Sequence, residues 1–561
     1  RDLHRVDRRQ RQMCIRDRSS TKKVEYKIQI TYPFNNTIFP PEIIAPTITW
    51  IDTVSNRWII IFRNKKDIFA KSEPLISTNW QPDSALWEQI KKSTLENNSE
   101  LIVIGFKYDL NKKTPQITAS AILNFKTSKD SVIAPIFYRS VTLPFGFAVD
   151  HLNTIQWRLG FISDYNEPKI ILKDLPVCGN CHSFTPDGKT IAMDIDYGND
   201  KGSYWIDEIK DTMFIDVDKI ITWSDYKRDE NELTFGLLSQ ISPDGNWVLS
   251  TVKDRSIFVK VNQLDYSQLF FPIKGIIGIY KRSTKEFSSL NGANNPKFCQ
   301  SNPSWSPDGK EVIFARAPYF KLPEAEKTKE VILPTEMARD FIDRKKEYKF
   351  DLYKLNFNNG KGSEPIPLIG ASNNGKSNYF AKYSPDGKWI VFTQAENFML
   401  LQPDAKLYII PSIGGKPRLM NCNLPNTMNS WHSWSPNGKW LVFSSKYQGP
   451  YTQLYLTHID ENGNDSPPIY LKQFSIEGLA CNIPEFLNIR KNQLKAIFER
   501  FMDTDNYKYI KSKTQFEKGN IQEALTNVNK SIELDPKNPN NYNLRAIINC
   551  LLYTSPSPRD S

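Results

Sequence analysis

Trp434-Ser435-Pro436-Asn437-Gly438-Lys439-Trp440-Leu441-Val442-Phe443 reads as strand, turn, strand. Proline presets the turn backbone, and Asn-Gly accepts the positive φ that a tight hairpin needs. The flanking aromatic and aliphatic residues supply the strands. The unit recurs as Thr185-Pro186-Asp187-Gly188, Ser242-Pro243-Asp244-Gly245, Ser306-Pro307-Asp308-Gly309 and Ser384-Pro385-Asp386-Gly387. The Asp/Asn positions lie 57, 64, 78 and 51 residues apart. A four-stranded propeller blade takes roughly 40–50 residues, so each interval holds one blade and its loops. The chain is predicted to be mainly β, with a β-propeller over 130–490 and its function at the propeller's faces and channel.

Five marked turns leave the blade count open. Strand-like runs at 155–162 and 169–175 lack an inner strand, while Cys481-Asn482-Ile483-Pro484-Glu485-Phe486 follows the last marked blade and mimics Asn302-Pro303-Ser304-Trp305. These pieces predict a sixth blade made from both ends of the ring, which removes exposed sheet edges. The longest interval holds 323–346, charged and helix-prone, read as an insertion between strands.

Upstream, 24–128 reads as a β-sandwich of the immunoglobulin or fibronectin type, with strands at 24–32, 47–51, 58–62, 101–108 and 117–125 and one helix at 84–92. Downstream, 505–549 changes to a helical period, with Ala524, Leu525, Val528, Ile532 and Leu534 on one stripe. Gly519, Ala524 and Pro536 stand where a tetratricopeptide repeat places its turn residue, packing alanine and terminal proline. Such repeats need neighbours, so further repeats are expected beyond it.

The stretches 1–18 and 550–561 resemble translated sequencing-adapter read-through and are set aside. The true N-terminus is then expected to be missing. The first of them carries seven Arg and three Asp of a chain whose net charge is +11. The rest is a mild Lys-rich surface without a clustered basic face, which argues against nucleic acid as a partner. There is no apolar run of membrane-spanning length.

One chemical motif stands out. Cys178-Gly179-Asn180-Cys181-His182 has the C-x-x-C-H form that attaches c-type haem, with the adjacent histidine on iron. The two thiols also suit a disulfide, a redox pair or a metal site. Aligning the repeats puts His182-Ser183-Phe184-Thr185 over His432-Ser433-Trp434-Ser435, so the histidine is a repeat feature that occurs without cysteines. Both histidines are expected near one mouth of the channel. With haem bound at Cys178 and Cys181, His182 would be proximal, and His432 or Met193 distal. Asp194, Asp196 and Asp200 alternate as calcium ligands do, though a polar hairpin turn explains them too. Cys299, Cys422 and Cys481 read as buried thiols, with a Cys422–Cys481 pair open in an oxidising compartment. No G-x-S-x-G elbow and no phosphate-binding glycine motif is present.

The five turns, with Lys189, Lys310, Lys388 and Lys439 after the glycine, resemble the TolB-like propeller family; Asn246 departs from it. The resemblance covers about 130–490. It implies six blades, a periplasmic or outer-membrane location, and a protein or peptide partner. The leading expectation is therefore a non-enzymatic envelope protein whose partner meets Trp431, His432 and Tyr447. A haem or thiol redox protein and a hydrolytic or carbohydrate-active propeller are the alternatives.

Overall fold

A computed structural model of the chain describes residues 28–65, 67–108, 115–226, 234–259, 262–264, 270–328, 330–397, 400 and 402–554. The adapter-like stretch 1–18, and 555–561 of the second one, lie outside the described residues. Two compact units emerge, Arg1–Thr37 with Ala45–Ser128, and Ile38–Ile44 with Lys129–Ser561.

The first unit pairs Gln29–Tyr32, Ile48–Ile51 and Asn79–Trp80 in one sheet. Asp67–Lys71, Arg57–Asn64, Ser99–Tyr108 and Pro115–Thr127 follow one another in a second. That connectivity is the A-B-E and G-F-C-C′ division of immunoglobulin and fibronectin sandwiches. Trp58, on the third strand in that scheme, is buried and meets Trp50 edge-on at 6.0 Å. The predicted helix is Ser84–Ser93, capped by the Asp83 carboxylate on the Leu86 N–H and buried through Trp87 and Ile90.

In the second unit six four-stranded antiparallel blades follow in turn. Their inner strands are Gly179–Phe184 (blade I), Leu237–Ile241 (II), Phe298–Trp305 (III), Ser377–Tyr383 (IV), Asn429–Trp434 (V) and Leu479–Phe486 (VI). A bridge from Gly275 to Cys299 joins blade II to the inner strand of blade III. Blade VI runs Leu479–Phe486, Ile136–Thr142, Gln156–Gly160, Lys169–Leu172, so the C-terminal inner strand is completed by N-terminal strands. Ile136–Thr142 was not among the expected strands. Its alternation is hidden because neighbouring blades cover both faces, burying even Arg139 and Ser140.

The repeated turn is closed by its own polar groups. In all five copies the first hydroxyl donates to the Asp or Asn side chain at 2.5–2.7 Å. That side chain accepts the N–H two residues on at 3.0–3.2 Å. The hydroxyl oxygen accepts the first N–H of the next strand at 2.9–3.0 Å. Every glycine of the set has φ between +68° and +72°. The bond from Ser306 holds the Asp308 carboxyl below its usual range.

The insertion within blade III is less helical than its composition predicts. It holds the 3₁₀ turns Ala325–Lys327 and Thr335–Ala338, one α-turn at Arg339–Ile342, and the short strand Ile332–Leu333 pairing parallel to Ser256 and Ile257 of blade II. Phe341 anchors it against Phe271 and Phe320. Beyond the ring, helices Asp505–Glu517, Ile521–Leu534 and Pro539–Thr554 pack through Ala524, Val528, Leu544 and Ile548. Gly519 turns the chain between the first two with φ +80°.

Two glycines separate backbone strain from steric conflict. A Cβ on Gly387 would meet nothing within 4 Å, so Gly387→Ala should cost about 1 kcal/mol for the left-handed backbone alone. A Cβ on Gly188 would sit 2.0 Å from the Asn488 carbonyl oxygen. Gly188→Ala should therefore lower the urea midpoint of the propeller much further than Gly387→Ala. Equal shifts would contradict this packing of blade I against the segment after blade VI.

Candidate functional site

Every inner strand breaks its register at one place, between Gly179 and His182, Leu237 and Gln240, Ser301 and Ser304, Tyr379 and Lys382, Ser430 and Ser433, and Asn482 and Glu485. At these bulges Leu238, Asn302, Phe380, Trp431 and Ile483 all take φ between +47° and +56°, unusual for residues other than glycine. Cys181 holds the equivalent position in blade I. The six residues line one narrow space of about 60 Å³ in the channel. Bulky side chains thus constrict the channel at mid-height.

On the turn side of the constriction lies a polar ring that includes Gln240, Lys382, Ser433 and Glu485. Lys382 pairs with Glu485 at 2.9 Å, and Glu485 accepts from Ser433 at 2.8 Å. On the other side, where the inner strands begin, is a chamber of about 360 Å³. One wall carries Arg139, Cys178, Asn180, Cys181, Asp194 and the Asp196–Lys201 ion pair. The rest of the lining is apolar and includes Phe235, Phe258, Phe270 and Leu400, joined to the polar part where Phe258 meets Phe145 at 5.1 Å, with Trp431 and Ile483 on the floor.

Charge on the polar wall is unevenly compensated. Arg139 is 2% exposed, donates to the Asn180 side chain, and rests over the Phe145 ring at 5.2 Å. Its Nε and Nη2 have no hydrogen-bond acceptor. Burial, with the nearby Asp196 charge, pushes the Asp194 carboxyl well above its usual range, and its Oδ2 has no partner. Burial also pushes both thiols up, Cys181 the further, so they remain protonated.

The two histidines have a structural task. His432 is buried and its Nε2–H donates to the Val391 carbonyl of blade IV at 2.9 Å. His182 occupies the matching place between blades I and VI, its ring 4.7 Å from Phe137, the register equivalent of Val391. Neither ring nitrogen of His182 has a hydrogen bond of good geometry, although the backbones of Phe137 and Ile483 lie close. Burial lowers the pKa of each histidine to about 3. The indole N–H groups of Trp305 and Trp434 make comparable bonds, to Gln240 O and Lys382 O of the preceding blades.

Several expected sites do not assemble. Asp200 accepts from Thr222, Ser224 and the Gly202 N–H, and Asp196 is taken by Lys201. Among the described residues no group of three or more His, Cys, Asp or Glu side chains is arranged to hold a metal, so Asp194, Asp196 and Asp200 do not converge on calcium. Tyr447 is exposed in a loop and does not line the chamber; of the expected partner residues, Trp431 does. Cys178, Cys181, Cys299, Cys422 and Cys481 are all free thiols.

Haem does not fit C-x-x-C-H here. Attachment needs both thiols and the histidine around one macrocycle. The thiols face the chamber, but the His182 ring is 1% exposed and enclosed by Phe137 and Phe184. Met193, opposite His182 in the strand register, is fully buried, and His432 is engaged by Val391. Arg139 escaped the sequence reading; its signal was a lone arginine within the apolar run Ile136–Thr142.

No family model matches the chain. Residues of the Agrobacterium fabrum (strain C58) protein Atu1656 are 43% identical over 60 positions, 11% of this chain and only 18% of that relative's length. Similar solved structures include a protein assigned as TolB from Agrobacterium tumefaciens (14% identity, 60% of this chain and 88% of that one, TM-score 0.32). Another is the periplasmic gluconolactonase of Pseudomonas aeruginosa (11%, 63% and 100%, TM-score 0.32). An oligogalacturonate lyase in complex with manganese is a third (13%, 54% and 70%, TM-score 0.34).

Two measurements bear on the motif. Since each buried histidine stays neutral while its unfolded counterpart protonates near pH 6.5, the unfolded state binds more protons between about pH 6.5 and 3. Stability contributed by these histidines is present above pH 6.5 and is lost as pH falls towards 3. His432→Gln keeps a donor for Val391 and should flatten that loss by up to one proton, read from melting temperatures between pH 7.5 and 4.5. Protein co-expressed with a haem-maturation system should show no Soret band; a pyridine haemochrome would overturn the packing assigned to His182.

Proposed function

We propose that this chain is a non-enzymatic binding protein of a bacterial envelope, which holds a protein or peptide partner at the propeller face where the inner strands begin. The observation that carries this reading is the chamber above the constriction, a recess narrowed at its base, with a largely apolar lining, Trp431 on its floor and one polar side. A recess of this make suits a side chain or a chain end, with a few polar groups to fix orientation. The groups around it favour holding over reacting. The thiols are kept protonated, which makes them poor nucleophiles and poor redox partners. The imidazoles are neutral and buried between blades, where they border the constriction and not the chamber.

The envelope assignment follows the resemblance of the repeat to TolB-like propellers. Among the described residues no helix is long and apolar enough to cross a membrane. The three C-terminal helices, read as a tetratricopeptide repeat and the start of the next, would add a second interaction surface.

A thermal-shift screen with short peptides rich in apolar residues tests this. Peptides that enter the chamber should raise the melting temperature by roughly 5 °C at a hundredfold excess over Kd and be recovered unchanged. Leu238→Trp, which enlarges the floor, should abolish the shift. Consumption of a peptide or sugar probe by the protein would overturn the non-enzymatic reading.

A further inference from the structure

On the turn side of the constriction the channel widens into a funnel of about 430 Å³, within the usual span of small-ligand sites, roughly 300–1,000 Å³. Its rim repeats with the blades. The Ser and Thr hydroxyls of the five turns are engaged inside their own turns, so the rim is lined by the apolar rings of Pro186, Pro243, Pro307, Pro385 and Pro436. Below them Phe184, Trp305 and Trp434 add aromatic surface. The floor is polar. Two residues past the bulge, blades II to VI place Gln240, Ser304, Lys382, Ser433 and Glu485 there. Lys382 of blade IV spans the channel. Its Nζ donates to Glu485 Oε1 of blade VI at 2.9 Å and to Gln240 Oε1 of blade II at 3.4 Å, neither blade being its neighbour.

Hydrogen-bonding capacity is left over on this floor. Lys382 uses two of its three donors, and the Gln240 amide donates once, to the Ser239 carbonyl at 3.0 Å. Among the described residues nothing bonds to the Ser304 hydroxyl. Charge then decides the class of ligand. Lys382 and Glu485 are the charged residues of the lining, and they cancel. A charged ligand would have to compete with that pair. A ligand of neutral hydroxyls can accept from Lys382, Gln240 and Ser304 and donate to Glu485 while the pair stays intact. A pyranose carries such hydroxyls around an apolar C–H face, which proline and aromatic rings can cover. One carboxylate, held by Lys382 and Ser433, does not supply the two carboxyl groups of ordinary glycoside hydrolysis, so the site is suited to holding a sugar and not to cleaving it.

We propose that the turn-side funnel is a second binding site, and that it takes a neutral sugar residue whose hydroxyls meet Gln240, Ser304, Lys382 and Glu485. It lies across the constriction from the chamber and does not depend on the partner reading given to that chamber.

Calorimetry and ligand-observed NMR on the full chain test it. The neutral probes are the methyl glycosides of glucose, galactose and mannose, and N-acetylglucosamine; the charged counterparts are glucuronate, galacturonate and glucosamine. At least one neutral sugar should bind, roughly fivefold more tightly than its charged counterpart, and be recovered unchanged. Gln240→Ala should weaken that binding by a similar factor, and Ser304→Trp, which fills the floor, should abolish it. The comparison of neutral with charged sugars needs no variant, so poor folding of Ser304→Trp does not spare the proposal. Charged sugars that bind as tightly as neutral ones would overturn the ligand class. Sugar binding that both variants leave unchanged would overturn the site. If no sugar binds, the proposal falls and the chamber reading stands. If the peptides of the thermal-shift screen lose their effect in Ser304→Trp but keep it in Leu238→Trp, the funnel is the peptide site, and the sugar and chamber readings fall together.

Discussion

The antiparallel pairing of Leu479–Phe486 with Ile136–Thr142 is the constraint on which the rest of the ring depends. It joins residues more than 300 positions apart, and its loop-closure entropy is offset by removing two sheet edges at once. Its register also makes the chamber. Asn482 is set opposite Arg139, which places the guanidinium on the wall beside Cys178 and Cys181. The same register sets Phe137 opposite Glu485, so that His182 of blade I packs where His432 packs in blade V. A slip of one residue would turn Arg139 to the other face of the sheet.

The inner strands show a second regularity that hydrophobic patterning alone does not require. Five residues with side chains adopt left-handed backbone at one level of the ring. Each such residue costs on the order of 1–3 kcal/mol, to be recovered from surrounding contacts. A bulge re-aims a side chain, and here the result is an inward ring that divides the channel. The turn-side compartment is polar and internally paired through Lys382, Glu485 and Ser433, whereas the chamber keeps unpaired groups. Backbone strain is thus spent on separating two environments that an unbulged six-bladed ring would leave continuous.

How much of this could be read in advance follows from locality. The Ser-Pro-Asp-Gly turns are self-contained hydrogen-bonded units, so their residues announce them, and the helix at Ser84–Ser93 carries its own cap. The closing strand at 481–486 was legible because it repeats the inner-strand lead-in. Ile136–Thr142 was missed since burial on both faces erases its period. The site was harder still. The bulges arise from packing six strands around one axis, and nothing in Leu238, Phe380 or Ile483 as residue types asks for positive φ. C-x-x-C-H drew attention to the correct wall for a reason that the packing does not support. Its histidine serves the joint between blades, and its cysteines happen to border a cavity whose notable charge comes from a strand some 40 residues upstream.

One loop connects this wall to the end of the chain. Asp196 and Lys201, which line the chamber, bracket Tyr197. Tyr197 packs edge-on against Phe501 at 5.3 Å and accepts a hydrogen bond from Asn506 in the first C-terminal helix at 2.9 Å. Gly198, with φ +67°, lets that helix approach so closely that a Cβ there would sit 3.1 Å from Ile510. A little further along blade I, Thr212–Ile215 pairs in parallel with Ala496–Glu499, the strand just before the helices. The helical segment is therefore seated on the blade that carries Cys178, Cys181 and Asp194, and the turn that shapes the chamber's polar wall is the same turn on which the helices rest.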